Sequence, residues 1–392
     1  MKRTLCIVLA IVFIVGCCAG CGSSTSTTAA TSSAKSATTN AAIKIGGTGP
    51  LTGAAAIYGN AAKNGAEIAV AEINAMGGLQ FELKYEDDTN DAEKAVNAYD
   101  ALKDWGMQIS LGSVTSKPCE ATAADTYSDR IFALTPSASS TAVNNGKDNM
   151  FQMCFSDPNQ GSASAQYIFD KKMATKVAVI YKNDDVYSKG IYTTFTSKAK
   201  DLGLDIVSTT TFTEDSQTDF SVQLTEAQKA GADLLFLPMY YTPASLIFKQ
   251  AKSMGYSPKY FGVDGMDGIL TLENFDKSLA EGVMLLTPFN SDSKDSKTAA
   301  FVAKYKAKFN ETPNQFAADG YDCIYALYQA CTASTITADM SASDICTKMI
   351  SQFTTMKFDG LTGTGMTWDK TGAVTKSPKG MVIKNGAYAG LD

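Results

Sequence analysis

The chain contains no histidine in its 392 residues. That single absence removes Ser-His-Asp and Cys-His nucleophile systems, imidazole general bases and the usual zinc sites together. No G-x-S-x-G elbow, Walker loop or G-x-G-x-x-G is present either. Gly46-Gly47-Thr48-Gly49 lacks the lysine or third glycine that a phosphate cradle needs. No cofactor and no metal are expected. Basic clusters are missing too: the net charge is −6 with 19% charged residues, which argues against nucleic acid as a partner. Beyond the N-terminus no apolar run approaches membrane-spanning length.

What is present begins with an export signal. Met1, Lys2 and Arg3 precede an apolar run from Leu5 to Val15. About 11 apolar residues are too few to cross a hydrocarbon core of about 30 Å, and they have the length and flanks of a secretory signal. The run ends in Gly16, Cys17, Cys18, Ala19, Gly20 and Cys21 rather than in an Ala-x-Ala site. This segment resembles the bacterial lipoprotein box. Ala19 and Gly20 fill the small positions before Cys21, which is the candidate for lipidation; Cys17 is the alternative. Ser23 to Ala42 is almost entirely Ser, Thr and Ala, too poor in apolar groups to offset the entropy of ordering, and reads as a tether. The expected divisions are a signal over 1–20 and a lipid-anchored tether over 21–42. The mature protein would then sit on the outer face of the cytoplasmic membrane, or on its periplasmic side.

About 350 residues follow, natural for two domains rather than one core. Short apolar strands alternate with amphipathic helices from Ile43 onward. Strands are expected at Ile43–Gly49, Phe81–Asp87, Gln108–Ser113, Ile131–Thr135, Lys176–Tyr181, Leu204–Phe212, Leu234–Tyr240, Tyr260–Val263 and Val283–Thr287. Helices are expected at Ala56–Met76, Ala92–Asp104, Tyr187–Leu202, Phe220–Ala230 and Ala244–Met254. This alternation implies βαβ units and parallel sheets, and a break near Asp157-Pro158 divides it into two doubly wound α/β lobes. Cys119, Cys154, Cys323, Cys331 and Cys346 fit no metal spacing. Buried free thiols are expected, with Cys331–Cys346 the one pairing to test.

In such sheets ligands sit beyond the carboxyl ends of the strands. Ser113-Val114-Thr115-Ser116 follows one strand and leads into Lys117-Pro118, a helix start with proline in its first turn. Ser116 either caps that helix or joins its free amides in a carboxylate site. Ser137-Ala138-Ser139 offers hydroxyls and amides after the next strand. Asp264, between glycines in Gly262-Val263-Asp264-Gly265, is either a turn former or the partner of an ammonium. Tyr240 would add a ring face to the same cation. Donors for a carboxylate on one lobe, with an acid and an aromatic on the other, describe a site for an amino-acid zwitterion.

A resemblance covers the whole body. Gly49-Pro50-Leu51-Thr52-Gly53 with Tyr58-Gly59, Glu72-Ile73-Asn74, Gly77-Gly78, Glu86-Asp87-Asp88 and Thr135-Pro136-Ser137 occur in order. Asp157-Pro158-Asn159-Gln160-Gly161, Asp184 to Gly190, Tyr240-Tyr241, Glu281-Gly282-Val283 and Trp368-Asp369 follow. In these the chain resembles the branched-chain amino-acid (Leu/Ile/Val) periplasmic-binding family that serves ABC importers. The resemblance implies carboxylate contacts at Ser116, Ser137 and Ser139, and ammonium contacts at Tyr240 and Asp264, where the best-known members carry glutamate. It also implies ligand contacts at Thr115 and Ala138 and side-chain positions at Tyr58, Val114, Tyr187 and Phe316. Thr115 stands where some members have a disulfide cysteine. Three crossovers are implied, with one lobe over 43–157 and 288–378 and the other over 158–287 and 379–392. A monomer that hands an amino acid to an ABC permease is the expectation. A ligand-sensing receptor module, or a binder of a small amide or urea, is the alternative. An enzyme would have to use the adjacent acids Asp87-Asp88 or Asp184-Asp185, whose side chains point to different sides, as solvated loop acids do.

Overall fold

In the computed structural model, the described residues are 41–391. The expected signal, the tether up to residue 40 and Cys21 lie outside them. Among the described residues no helix is long and apolar enough to cross a membrane.

The chain runs β1 (Ile43–Gly49), α1 (Ala56–Met76), β2 (Phe81–Asp87), α2 (Ala92–Asp104), β3 (Ile109–Leu111), α3 (Ser116–Asp129), β4 (Phe132–Thr135) and β5 (Met150–Gln152). It continues with α4 (Asp157–Asp170), β6 (Val177–Lys182), α5 (Val186–Leu202), β7 (Ile206–Phe212), α6 (Ser221–Lys229), β8 (Leu234–Leu237), α7 (Tyr241–Ser253) and β9 (Lys259–Gly262). The last part is β10 (Met284–Thr287), α8 (Ser296–Phe309), α9 (Gln315–Ala333), α10 (Ala342–Phe353), β11 (Lys379–Lys384) and β12 (Ala387–Gly390).

Two sheets result. The first has the order β2-β1-β3-β4-β5 and is parallel throughout. The second has the order β12-β11-β10-β9-β8-β6-β7, parallel except at β11 and β12. Central strands such as β3, β4 and β8 are buried along their whole length, as a sheet with helices on both faces requires. Helices α8 to α10 return to the first sheet, where α9 packs on α1 and α10 on β4. The chain therefore crosses between lobes after β5, after β10 and before β11.

Three local differences from the sequence reading have plain causes. Strand β8 stops at Leu237 rather than Tyr240, because Pro238 has no N–H to continue a ladder. Helix α7 starts at Tyr241 rather than Ala244, with Pro243 in its first turn, where a missing N–H costs nothing. The segment around Asp157-Pro158 is the beginning of α4, again with proline in the first turn. The five cysteines of the body are all buried and unpaired, so Cys331–Cys346 is not formed; Cys331 Sγ instead lies 3.9 Å from Met349 Sδ.

Helix α9 is pinned to α1 by glycine. A Cβ on Gly65 would come within 1.8 Å of the Ala317 carbonyl oxygen, and one on Gly320 within 2.2 Å of the Ala62 carbonyl oxygen. The two backbones touch, which fixes the height of the first turn of α9. Inside the same lobe Lys376 Nζ sits 2.8 Å from Asp319 Oδ1 and 2.7 Å from Thr362 Oγ1, all three buried. Gly65→Ala is expected to push α9 off α1 and lower stability by about 1–3 kcal/mol, as overpacking does. Denaturant unfolding of the variant beside the parent checks this; an unchanged midpoint would mean that the helices can part at no cost.

Candidate functional site

The carboxyl ends of β1, β3 and β4 form one rim. Thr135 Oγ1 donates to the Ser113 carbonyl at 2.8 Å and accepts from Ala138 N at 2.9 Å, which folds the loop after β4 back over the loop after β3. Ser116 begins α3 but does not cap it; Thr115 holds the N-cap position, and its side chain makes no capping bond. Ser116 Oγ instead accepts from Ser139 N at 3.1 Å and Ser140 N at 3.2 Å. With both acceptor positions used, the Ser116 hydroxyl proton stays available to donate.

The opposite wall rises from β9. Asp264 opens a short turn, Asp264–Met266, directly after Val263. Its Oδ1 accepts from the Tyr187 hydroxyl at 2.7 Å, and that hydroxyl accepts from Gly265 N at 2.9 Å. Glycine is required at 265, because a Cβ there would lie 2.6 Å from the Tyr187 hydroxyl. Burial raises the Asp264 carboxyl to about 7, against the lowering by the bond from Tyr187. Burial likewise pushes Tyr58, Tyr187 and Tyr240 well above the ordinary phenol value, so all three are neutral.

Between these walls lies a small, nearly closed cavity. On the first lobe it is bounded by Tyr58, Val114, Thr115, Ser116, Ser137 and Phe316, and on the second by Tyr187, Tyr240, Asp264 and Gly265. Tyr58 crosses the cleft: its hydroxyl donates to the Gly265 carbonyl at 2.5 Å and accepts from Tyr241 N at 3.2 Å. Its ring meets Phe316 at 4.6 Å and Tyr240 at 5.2 Å, while Tyr187 stacks on Tyr240 at 5.0 Å. Since the Tyr58 and Tyr187 hydroxyls are engaged within the protein, these rings turn carbon toward the cavity.

Two residues of the expected set do not line it. Ala138 is buried in a small cluster with Cys119, Ala133, Val143 and Met150. Ser139 is fully buried, and its hydroxyl donates to Asp157 Oδ1 at 2.7 Å. Asp157 itself is raised well above the ordinary carboxylate value, first by burial and then by the charges of Asp264 and Asp185, with the Ser139 bond opposing. Sequence reasoning also missed the residues that hold Asp264. Gln160 Oε1 accepts from Asp264 N at 3.2 Å, and Gln315 Nε2 donates to the Asp264 carbonyl at 3.2 Å. Gln160 lies in the quoted Asp157 to Gly161 segment. Gln315 precedes Phe316, but nothing in the local pattern separates it from an ordinary helix-start glutamine.

Comparison with known proteins agrees with this architecture. A family model described as periplasmic binding protein matches residues 42–387. The leucine-, isoleucine-, valine-, threonine- and alanine-binding protein of Pseudomonas aeruginosa is 26% identical over 287 residues, 72% of this chain and 76% of that one. A branched-chain amino acid transporter substrate binding protein from Streptococcus pneumoniae, in complex with isoleucine, superposes with a TM-score of 0.80 at 28% identity. The match covers 88% of this chain and 97% of that one. A leucine binding protein from Thermotoga maritima gives 0.79 at 26% identity, over 89% and 98%.

Tyr187→Phe is expected to leave Asp264 Oδ1 and Gly265 N without their shared partner. The loss should be about 1–3 kcal/mol of stability, the cost of stranding buried polar groups. Thermal melts of the variant and parent at one pH measure it; equal melting temperatures would show that the hydroxyl bridges nothing.

Proposed function

Because this chain belongs to the periplasmic binding protein family, we propose that it captures an amino acid between its two lobes and hands it to an ABC importer. The observation that carries this reading is the pairing of a hydroxyl-and-amide rim around Ser116 and Ser137 with the buried carboxylate of Asp264 across one cavity. Such an arrangement offers donors to a carboxylate and an acceptor to an ammonium. Tyr58, Phe316 and Val114 then face the ligand's side chain with carbon, which favours branched-chain or other apolar amino acids. Relatives named for binding leucine, isoleucine and valine, among other amino acids, and a similar structure with isoleucine bound support this choice. We read the protein as a binder that performs no chemical step. In this reading Ala138 and Ser139 support the rim from behind.

The lobes divide at 43–157 with 288–378 and 158–287 with 379–392, and ligand draws them together about the three crossings. We further read Cys21 as the lipidated N-terminus that keeps the monomeric body near its permease, on the outer face of the cytoplasmic membrane or the periplasmic side. Mass spectrometry of the mature protein tests this. An acylated N-terminal peptide beginning at Cys21 is expected; one beginning at Cys17 would move the anchor, and an unmodified one would remove it.

Asp264→Ala should weaken amino-acid binding by about 3–5 kcal/mol, since it leaves an ammonium buried without a partner. With the lobes together, burial holds the unpaired carboxyl at about 7, and only its ionised form pairs with an ammonium. Binding therefore expels a proton below that value. Affinity should fall toward acid pH and level off above pH 7. Calorimetry with leucine, isoleucine and valine from pH 5 to 8 reads both effects. A flat pH profile together with full affinity in the variant would sink the assignment of Asp264. A thermal-shift panel of all amino acids, small amides and urea identifies the cargo, because a bound ligand raises the melting temperature by mass action.

A further inference from the structure

The turn that carries Asp264 is gripped by a helix of the other lobe, at residues that do not line the cavity. Helix α9 begins at Gln315, and its height is fixed by the contact with α1. Its own N-cap, Asn314, accepts from Ala317 N. The amide of Gln315 goes elsewhere: it donates to Asp267 Oδ2 at 2.9 Å. Asp267 ends the acidic turn of the second lobe, and its N–H donates to the Asp264 carbonyl at 2.9 Å. The Gln315 side chain then donates to that same carbonyl, at 3.2 Å. The three residues are 1–4% exposed, so the bonds compete with little water.

The arrangement is a helix cap supplied across a domain boundary. A carboxylate at a helix N-terminus is favoured by the free amides and by the positive end of the helix dipole. Here helix and carboxylate belong to different lobes, so the favourable interaction exists only while the lobes meet. On its own lobe, Asp264 is held by Gln160 through its N–H. Its carbonyl takes one bond from Asp267 N on its own lobe and a second, from Gln315, across the cleft.

We propose that Gln315 and Asp267 are positioning residues that form a strut across the cleft and hold the Asp264 turn in place for as long as the lobes are together. The inference rests on the solute-binding reading above. The strut touches no ligand, forms after the encounter and must break before release. It therefore sets how long the cargo is held, and it does not set how fast cargo is found.

The test is stopped-flow intrinsic fluorescence of the full-length chain with L-isoleucine as the probe. It uses the parent, Gln315→Met, which keeps length and loses the donor, and Asp267→Asn, which keeps shape and loses the charge. Each variant is expected to release isoleucine about tenfold faster, the scale of one buried hydrogen bond, with the association rate little changed. Melting temperatures without ligand should match the parent, and only the ligand-bound melts should fall. Slower association with unchanged release, or equal loss of melting temperature with and without ligand, would make these ordinary structural residues and overturn the strut. Variants that release at the parental rate overturn it as well, while leaving the solute-binding reading standing. A parent that responds to no amino acid in the thermal panel overturns both.

Discussion

A carboxyl group enclosed where two lobes meet must either hold a proton or find a cation, and much of the geometry around Asp264 answers that constraint. The Tyr187 hydroxyl supplies one hydrogen bond to it, and burial supplies the opposing push to about 7. Among the described residues the buried Lys376 takes no part, being engaged with Asp319 and Thr362. In the proposed reading such a site accepts a positive group from outside, because the free energy withheld by burial is returned when a cation arrives. The rim around Ser116 is the electrical counterpart, made of donors with no fixed charge.

Much of this was legible in the sequence. The alternation of short apolar runs with helical periods located nine of the twelve described strands, because parallel strands buried on both faces carry a continuous apolar signature. Strand-end residues such as Val114, Ser116, Ser137, Tyr240 and Asp264 could be singled out for the same reason: topology places strand ends at the cleft. What escaped notice depends on contacts between segments far apart in the chain. Gln160 and Gln315 act on Asp264 from 104 and 51 positions away, and a glutamine at a helix start carries no local mark of that role. Strand β5, with three residues, is too short to show a period. The proline effects at 238 and 243 follow from local stereochemistry and were misread only in their boundaries.

Ser139 illustrates the opposite error. Its type and position suit a ligand contact, yet its hydroxyl is turned toward Asp157 while its N–H serves Ser116. Residue type identified a polar rim correctly, but could not say which hydroxyls face the cavity and which face the protein. The same holds for the aromatic wall. Tyrosine at 58 and 187 suggests polar edges, and the fold engages both hydroxyls internally, so the wall presents carbon.

The acidic turn is gripped by its peptide groups, with Gln160 on the N–H and Gln315 on the carbonyl of residue 264. Backbone held in this way does not depend on which side chain it bears. The backbone at position 264 is thus held apart from its carboxylate, whose tie to the loop runs through Tyr187, and the length of the acid there can drift by a methylene as far as that bridge can follow it. Divergence of cargo within one architecture needs such a place, where a single codon alters recognition while the peptide groups that carry it stay held.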